Sequence, residues 1–347
     1  ARGRAPGPNS GACVNQADLT RVITLSDTSV AQAVFGPLHR HLAHTQEASR
    51  DPNAPRGAPS YRVTLDAQGD RLTVRARPGG EKDLERVQRI IDALADLARR
   101  KSSVREGDVF AAISFSEGAV ETPGPLKLPQ LGGLTLRPPR QVDYVEALRD
   151  ENLDLIFGVG PAGTGKTFLA VAAAVEALKQ ERVDRIIVTR PAVEAGEKLG
   201  YLPGDLAEKV DPYLQPIWDA FRSQMSESDL KARRERRQIE VAPLPFMRGR
   251  TLSNAFVIAD EAQNSTVLQM KMVLTRLGEG SRMVVTGDPS QIDLVRPDQS
   301  GLAHAISILE NIPGVEVIRF ATQDVVRHRL VAHIVEAYHR DEAGRGG

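Results

Sequence analysis

Apolar and polar positions follow two regimes along this chain. In the first, up to about residue 100, periods of two alternate with periods of three to four. Leu19 to Leu25 alternates loosely, as a strand would, and Ser29 to Ala43 carries Val30, Ala33, Val34, Leu38 and Leu42 at helical spacing, interrupted near Gly36-Pro37. Tyr61 to Leu65 and Arg71 to Arg77 alternate with period two, and Ala67-Gln-Gly-Asp70 joins them, which predicts a hairpin. Leu84 to Leu97 then places apolar residues at 84, 87, 90, 91, 94 and 97, one face of a helix. The pattern predicts a small α/β domain over residues 17–100.

The second regime begins at Gln141. Short, continuous apolar runs occur at Leu153 to Phe157, Arg185 to Thr189, Phe256 to Ala259, Arg282 to Thr286 and Val315 to Phe320. Continuous runs suit strands buried on both faces, and helical stretches lie between them (Gln141 to Leu148, Phe168 to Leu178, Tyr213 to Phe221, Val267 to Leu277). This predicts an α/β domain over residues 141–340: a parallel sheet of about five strands flanked by helices, with its site at the carboxyl edge. Residues 101–140, weakly helical and then rich in Pro and Gly with one β-like run at Leu134 to Leu136, are expected to be the linker. Tyr201 to Pro212 reads as a turn-rich insertion, and Val241 to Arg250 as a lead-in to the Phe256 strand. Residues 1–16, without periodicity, are expected to be disordered.

Composition narrows the classes. The 347 residues carry 45 Lys plus Arg against 45 Asp plus Glu, so a tail-driven polyanion binder is disfavoured while a local basic groove is not. Cys13 is the only cysteine, which leaves no disulfide framework and no cysteine cluster for zinc. No apolar stretch approaches about 20 residues and no secretory segment opens the chain, so no membrane role and a cytoplasmic location are expected.

Chemistry enters at Gly158 to Thr167. Gly160, Gly165, Lys166 and Thr167 fill the G-x-x-x-x-G-K-[ST] pattern between a predicted strand and a predicted helix. Glycines let backbone N–H groups converge on phosphate oxygens, and the helix start adds its positive end. Gly160, Pro161, Ala162, Gly163, Thr164, Gly165, Lys166 and Thr167 are therefore the candidate nucleotide-binding residues. Lys166 is expected on the β/γ-phosphates of ATP and Thr167 on Mg²⁺. Downstream, Phe256-Val-Ile-Ala-Asp260-Glu261 has four apolar residues entering an acidic pair, with Asp260 expected to hold Mg²⁺ through water and Glu261 to polarise the attacking water. Gln291, after the Arg282 strand, can contact both γ-phosphate and water, with Asp288 orienting its loop. Gln141 is the expected reader of the adenine edge. Arg190, at the carboxyl end of a strand, could touch nucleic acid or phosphate. Arg71, Arg75 and Arg77 share one strand face that could meet phosphates or stay solvated. The basic cluster Lys231 to Arg237 reads first as a solvated helix face. Arg327 and Arg329 are candidate arginine fingers acting on a neighbouring subunit, or partners of Asp324.

These residues carry a resemblance. The runs Gly158 to Thr167, Arg190 to Gly204, Phe246 to Leu252, Asp260 to Asn264, Gln269 to Gly278, Thr286 to Leu294 and Asp324 to His328 are similar to those of bacterial PhoH-like ATPases and span most of residues 137–338. The resemblance implies a RecA-like P-loop NTPase fold related to superfamily 1 helicases, with a small N-terminal α/β (KH-like) domain. That domain lacks the G-x-x-G clamp of a KH module and the aromatic pair of an RRM. The resemblance further implies ATP hydrolysis through Lys166, Thr167, Asp260 and Glu261 with Gln291 as sensor, a homo-oligomeric, hexameric ring, and a link to phosphate starvation and RNA metabolism. Single-stranded RNA and a YbeY-type endoribonuclease are the partners it suggests; Arg71, Arg75, Arg190 and Arg248 are the candidate RNA contacts among the residues. The alternative is an ATP-dependent scaffold or switch acting on partner proteins without translocating on RNA.

Overall fold

The structure, a computed structural model, describes residues 19–51, 61–101, 103–118, 125–137, 139–191, 206–294, 296 and 299–326. The chain forms two compact units, 1–128 and 129–347.

In the first unit, β1 (Leu19–Thr24), β2 (Val63–Gln68) and β3 (Arg71–Ala76) make an antiparallel sheet of order β1-β3-β2. Leu72, Val74 and Ala76 point into the core, which puts Arg71 and Arg75 on the opposite, exposed face. Asp27 caps α1 (Thr28–Phe35) by accepting from the Val30 N–H at 2.9 Å. Gly36, at φ +72, ends that helix, and a three-residue 3-10 turn leads into α2 (Arg40–Glu47), so the predicted interruption is a real break. α3 (Glu81–Lys101) buries the predicted face and continues it to Ala98; Glu81 and Asp83 open it and Arg99 to Lys101 close it, matching the helix dipole. Residues 106–118, read as weakly helical and counted with the linker, form α4 (Glu106–Gly118), and Val109 and Ala112 join the same core. Its run Phe110-Ala-Ala-Ile113 has little polar contrast, which is why the helical period there is weak.

The second unit is built on six parallel strands in the order β11-β6-β10-β9-β7-β8. They are β6 (Leu155–Val159), β7 (Arg185–Arg190), β8 (Ile239–Pro243), β9 (Ala255–Ala259), β10 (Arg282–Gly287) and β11 (Val315–Arg319). The small hairpin β4 (Gln130–Leu131) and β5 (Leu134–Thr135) precedes them. Alternate residues serve two cores. Ile156, Val188, Ile258 and Val284 pack with α5 (Arg140–Arg149), α6 (Lys166–Lys179), α7 (Leu206–Arg222) and α8 (Glu227–Glu235). Phe157, Ile187, Val257 and Val285 pack with α9 (Val267–Leu274) and α10 (Gly301–Leu309). This two-faced burial is why the strands read as continuous apolar runs.

The expectation of about five strands misses β8. It is an edge strand, half-buried apart from Ile239, and carries Glu240 and a terminal Pro243. The expected turn-rich insertion is helical from Leu206, with Pro212 inside α7.

Candidate active site

Register decides which loops meet. Gly287 lies opposite Val159, Val285 opposite Ala259, and Thr189 opposite Ala259. Gly160, Arg190, Asp260, Thr286 and Asp288 therefore leave the sheet at nearly one level. Arg190, Asp260 and Asp288 line a cleft of about 530 Å³, together with Lys166 and Thr167 and with Pro216 and Asp219 of α7.

The loop from β6 to α6 is shaped by glycines. Gly160 has φ +135, and a Cβ there would lie 2.3 Å from the Phe320 carbonyl oxygen, so the chain after β11 presses against the loop. That segment is bonded to the loop at both ends: the Phe320 N–H donates to Val159 O at 2.7 Å and the Val326 N–H to Gly163 O at 2.8 Å. Lys166 opens α6 with its Nζ donating to the carbonyls of Gly160 (2.6 Å) and Pro161 (2.7 Å). Burial pulls its ammonium below the ordinary lysine range, while the carboxylates of Asp288, Glu261 and Asp260 act in the opposite sense.

Asp260 is 4% exposed, and its Oδ1 accepts from Thr167 Oγ1 at 2.7 Å and Thr286 Oγ1 at 2.6 Å. A hydroxyl and a carboxylate this close form a hard-oxygen set suited to Mg²⁺. Glu261 adopts φ +51, a left-handed conformation that costs a non-glycine residue about 1–3 kcal/mol and concentrates at functional sites. Its Oε1 pairs with the Arg190 guanidinium at 3.3 Å and its Oε2 accepts from Gln263 Nε2 at 2.6 Å. Asp288 is buried; its Oδ1 accepts from the Ser290 N–H and hydroxyl, and its carbonyl from the Gln291 N–H. Gln291 is exposed on the cleft rim.

The other candidate residues are buried beside the loop, paired in the cleft, exposed, or outside the described residues. Gln141 is 6% exposed; its Nε2 donates to Thr164 O at 3.0 Å and its Oε1 accepts from the Arg137 N–H at 2.9 Å. The amide read as an adenine reader thus braces the phosphate loop from behind. Arg190, read as a contact to nucleic acid or phosphate, lines the cleft and pairs with Glu261, with Asp260 at 4.0 Å. Arg71, Arg75 and Arg248 are exposed and outside the cleft lining. Arg327 and Arg329 lie outside the described residues. Sequence reasoning passed over Thr286, Gln263 and the α7 wall. Only the DEAQ run hinted at Gln263, and nothing local marks Thr286. Among the described residues no helix is long and apolar enough to cross a membrane.

A glycine loop meeting a buried aspartate and its threonine partner at the carboxyl edge of a parallel sheet places the protein among nucleotide-binding ATPases of RecA-like α/β fold. The PhoH-like protein family profile matches residues 134–339, and the chain belongs to that family. A PhoH-like protein of Bacillus subtilis is 47% identical over 267 residues, 75% of this chain and 83% of that one. One from Mycobacterium tuberculosis is 46% identical over 289 residues, 81% of each chain. A Sulfolobus solfataricus SWI2/SNF2 ATPase core in complex with dsDNA aligns with TM-score 0.32 at 15% identity, over 58% of this chain and 47% of that one, too slight a likeness to bear on function.

Proposed function

We propose that the protein hydrolyses ATP with Mg²⁺ and couples hydrolysis to binding or remodelling RNA, assisting ribonuclease-dependent RNA processing. The observation that carries the hydrolytic part is Glu261, held in a left-handed conformation beside the Thr167–Asp260 pair. In this reading the Lys166 ammonium exchanges its loop carbonyls for β- and γ-phosphate oxygens. Thr167 and Asp260 would hold Mg²⁺, which would supply positive charge against the phosphates. Glu261 takes a proton from water as the water oxygen bonds to the γ-phosphorus and the bond to the β–γ bridging oxygen breaks, releasing ADP and phosphate. Gln291 orients that water and the γ-phosphate.

Support for RNA comes from the open face bearing Arg71 and Arg75 and from Arg248 beside Phe246, which is 53% exposed. The assembly belongs to the same proposal: a hexameric ring in which Arg327 or Arg329 completes a neighbour's site, with a YbeY-type endoribonuclease as partner. Lys166→Ala is expected to abolish turnover, and Glu261→Gln to keep ATP binding while losing hydrolysis. Single-stranded RNA is expected to raise kcat. If RNA neither binds at low salt nor changes kcat or KM, the RNA reading falls, and ATP-driven regulation of partner proteins takes its place. Mixing Arg327→Ala or Arg329→Ala subunits with Lys166→Ala subunits should restore some activity; no restoration with either would rule out an arginine acting across the interface.

A further inference from the structure

We propose that Gln263 is a positioning residue that fastens the water-activating carboxylate to the loop facing the γ-phosphate, so that the two are set as one unit. The proposal rests on the reading of Glu261 as the group that activates water.

Gln263 is 1% exposed, and both ends of its amide are used. Nε2 donates to Glu261 Oε2 at 2.6 Å, and Oε1 accepts from the Asp288 N–H at 3.1 Å. Asp288 then shapes the next turn: its Oδ1 receives the Ser290 N–H (2.9 Å) and hydroxyl (2.7 Å), and its carbonyl receives the Gln291 N–H (3.0 Å). Glu261 and the Gln291 backbone are thus linked through the buried Gln263 amide and the backbone of Asp288, whose carboxylate fixes the intervening Ser290. The next residue repeats the tie. Asn264 Nδ2 donates to Asp293 Oδ2 at 3.2 Å, and its Oδ1 accepts from the Asp293 N–H at 2.8 Å. The loop's far end is fastened to the same turn, with Ser300 Oγ donating to Gln263 O and the Gly301 N–H to Ser265 O.

The chemistry of the two partners selects the side chain. One is a carboxylate and needs a donor; the other is an N–H and needs an acceptor. A neutral primary amide offers both, while an ionised carboxylate offers only acceptors. The fit is close: a Cβ at Gly287 would lie 2.7 Å from Gln263 Oε1, so the loop can approach the amide because residue 287 is glycine. Glu261 has its other oxygen on Arg190. Without Gln263, Arg190 would be the remaining partner of the carboxylate among the described residues, and the tie through Asp288 to Gln291 would be lost. Misplacing a reacting group by about 1 Å costs on the order of 100-fold in rate.

The test is Gln263→Glu, close to isosteric, assayed for ATP hydrolysis across pH beside the wild type, with ADP affinity and thermal stability measured on the same preparations. While protonated, the introduced carboxyl still donates to Glu261; once ionised, it repels Glu261. The variant's kcat is therefore expected to fall as pH rises, along a limb that the wild-type profile lacks, with ADP affinity within about threefold of wild type and kcat lower by about 10- to 100-fold on the alkaline side. A purely structural role would lower kcat by one factor at every pH. A profile parallel to wild type therefore overturns the proposal, as does wild-type kcat in Gln263→Ala of unchanged stability. Glu261→Gln separates the two levels. If it retains wild-type turnover, the reading of Glu261 fails. If it is inactive while both Gln263 variants behave like wild type, only the role of Gln263 fails.

Discussion

Replacing Thr286 by valine tests whether the site is held by hydrogen bonding or by packing. Thr286 is fully buried and donates to Asp260 Oδ1 at 2.6 Å; Thr167 supplies the second donor to that oxygen at 2.7 Å. Valine keeps the shape, so no cavity forms, but a buried carboxylate loses one of two hydroxyl donors. A hydrogen bond to a charged group is worth about 1.5–3 kcal/mol, and its loss in a domain of this size lowers Tm by about 3–12 °C. Thr286→Ser keeps the donor and removes one methyl, a loss of about 1 kcal/mol. Packing alone predicts the reverse order, with valine close to wild type and serine worse. Thermal melts of the full chain would be read at the transition that MgADP shifts, since a ligand of the native state stabilises the unit that binds it. Steady-state ATPase should follow, with kcat lower by about tenfold if 1.4 kcal/mol of Asp260 orientation is lost in the transition state. A valine variant as stable and active as wild type, with the serine variant weaker, would refute the reasoning.

Two other predictions probe the frame of the site. Gly160→Ala adds a Cβ 2.3 Å from the Phe320 carbonyl oxygen at φ +135, a conformation that costs alanine about 1–3 kcal/mol before any clash; ADP affinity should fall tenfold or more by calorimetry, and unchanged affinity would mean that the strap after β11 yields freely. Arg250 donates to both oxygens of Glu240 at 2.6 and 2.8 Å, and this pairing holds the Glu240 carboxyl below its ordinary value of 4.5. A lowered folded-state pKa means stabilisation that is complete above 4.5 and is lost as pH falls through the lower, folded value. The Tm difference between wild type and Glu240→Gln should accordingly be present at neutral pH and vanish in acid; a gap that ignores pH would remove the ion pair from the account.

What the sequence alone determined is what one strand, its loop and the following helix contain. The spacing of Gly160, Gly165, Lys166 and Thr167 is local chemistry, and so is the entry of Phe256 to Ala259 into Asp260-Glu261. The burial of β6, β7, β9 and β10 was legible because residues covered on both faces must all be apolar. Tertiary structure decided the rest, since it turns on strand order. Thr286 belongs to β10, Asp260 follows β9, Arg190 ends β7 and the glycine loop follows β6; only the order β6-β10-β9-β7 and its register set them around one carboxylate. Side-chain direction was equally hidden. The Gln141 amide bonds to Thr164 and Arg137, and Arg190 pairs with Glu261, partners that no local spacing reveals. Sequence spacing determines which groups a loop carries, whereas the partners of those groups come from strands distant in the chain, so the second follows only from the folded sheet.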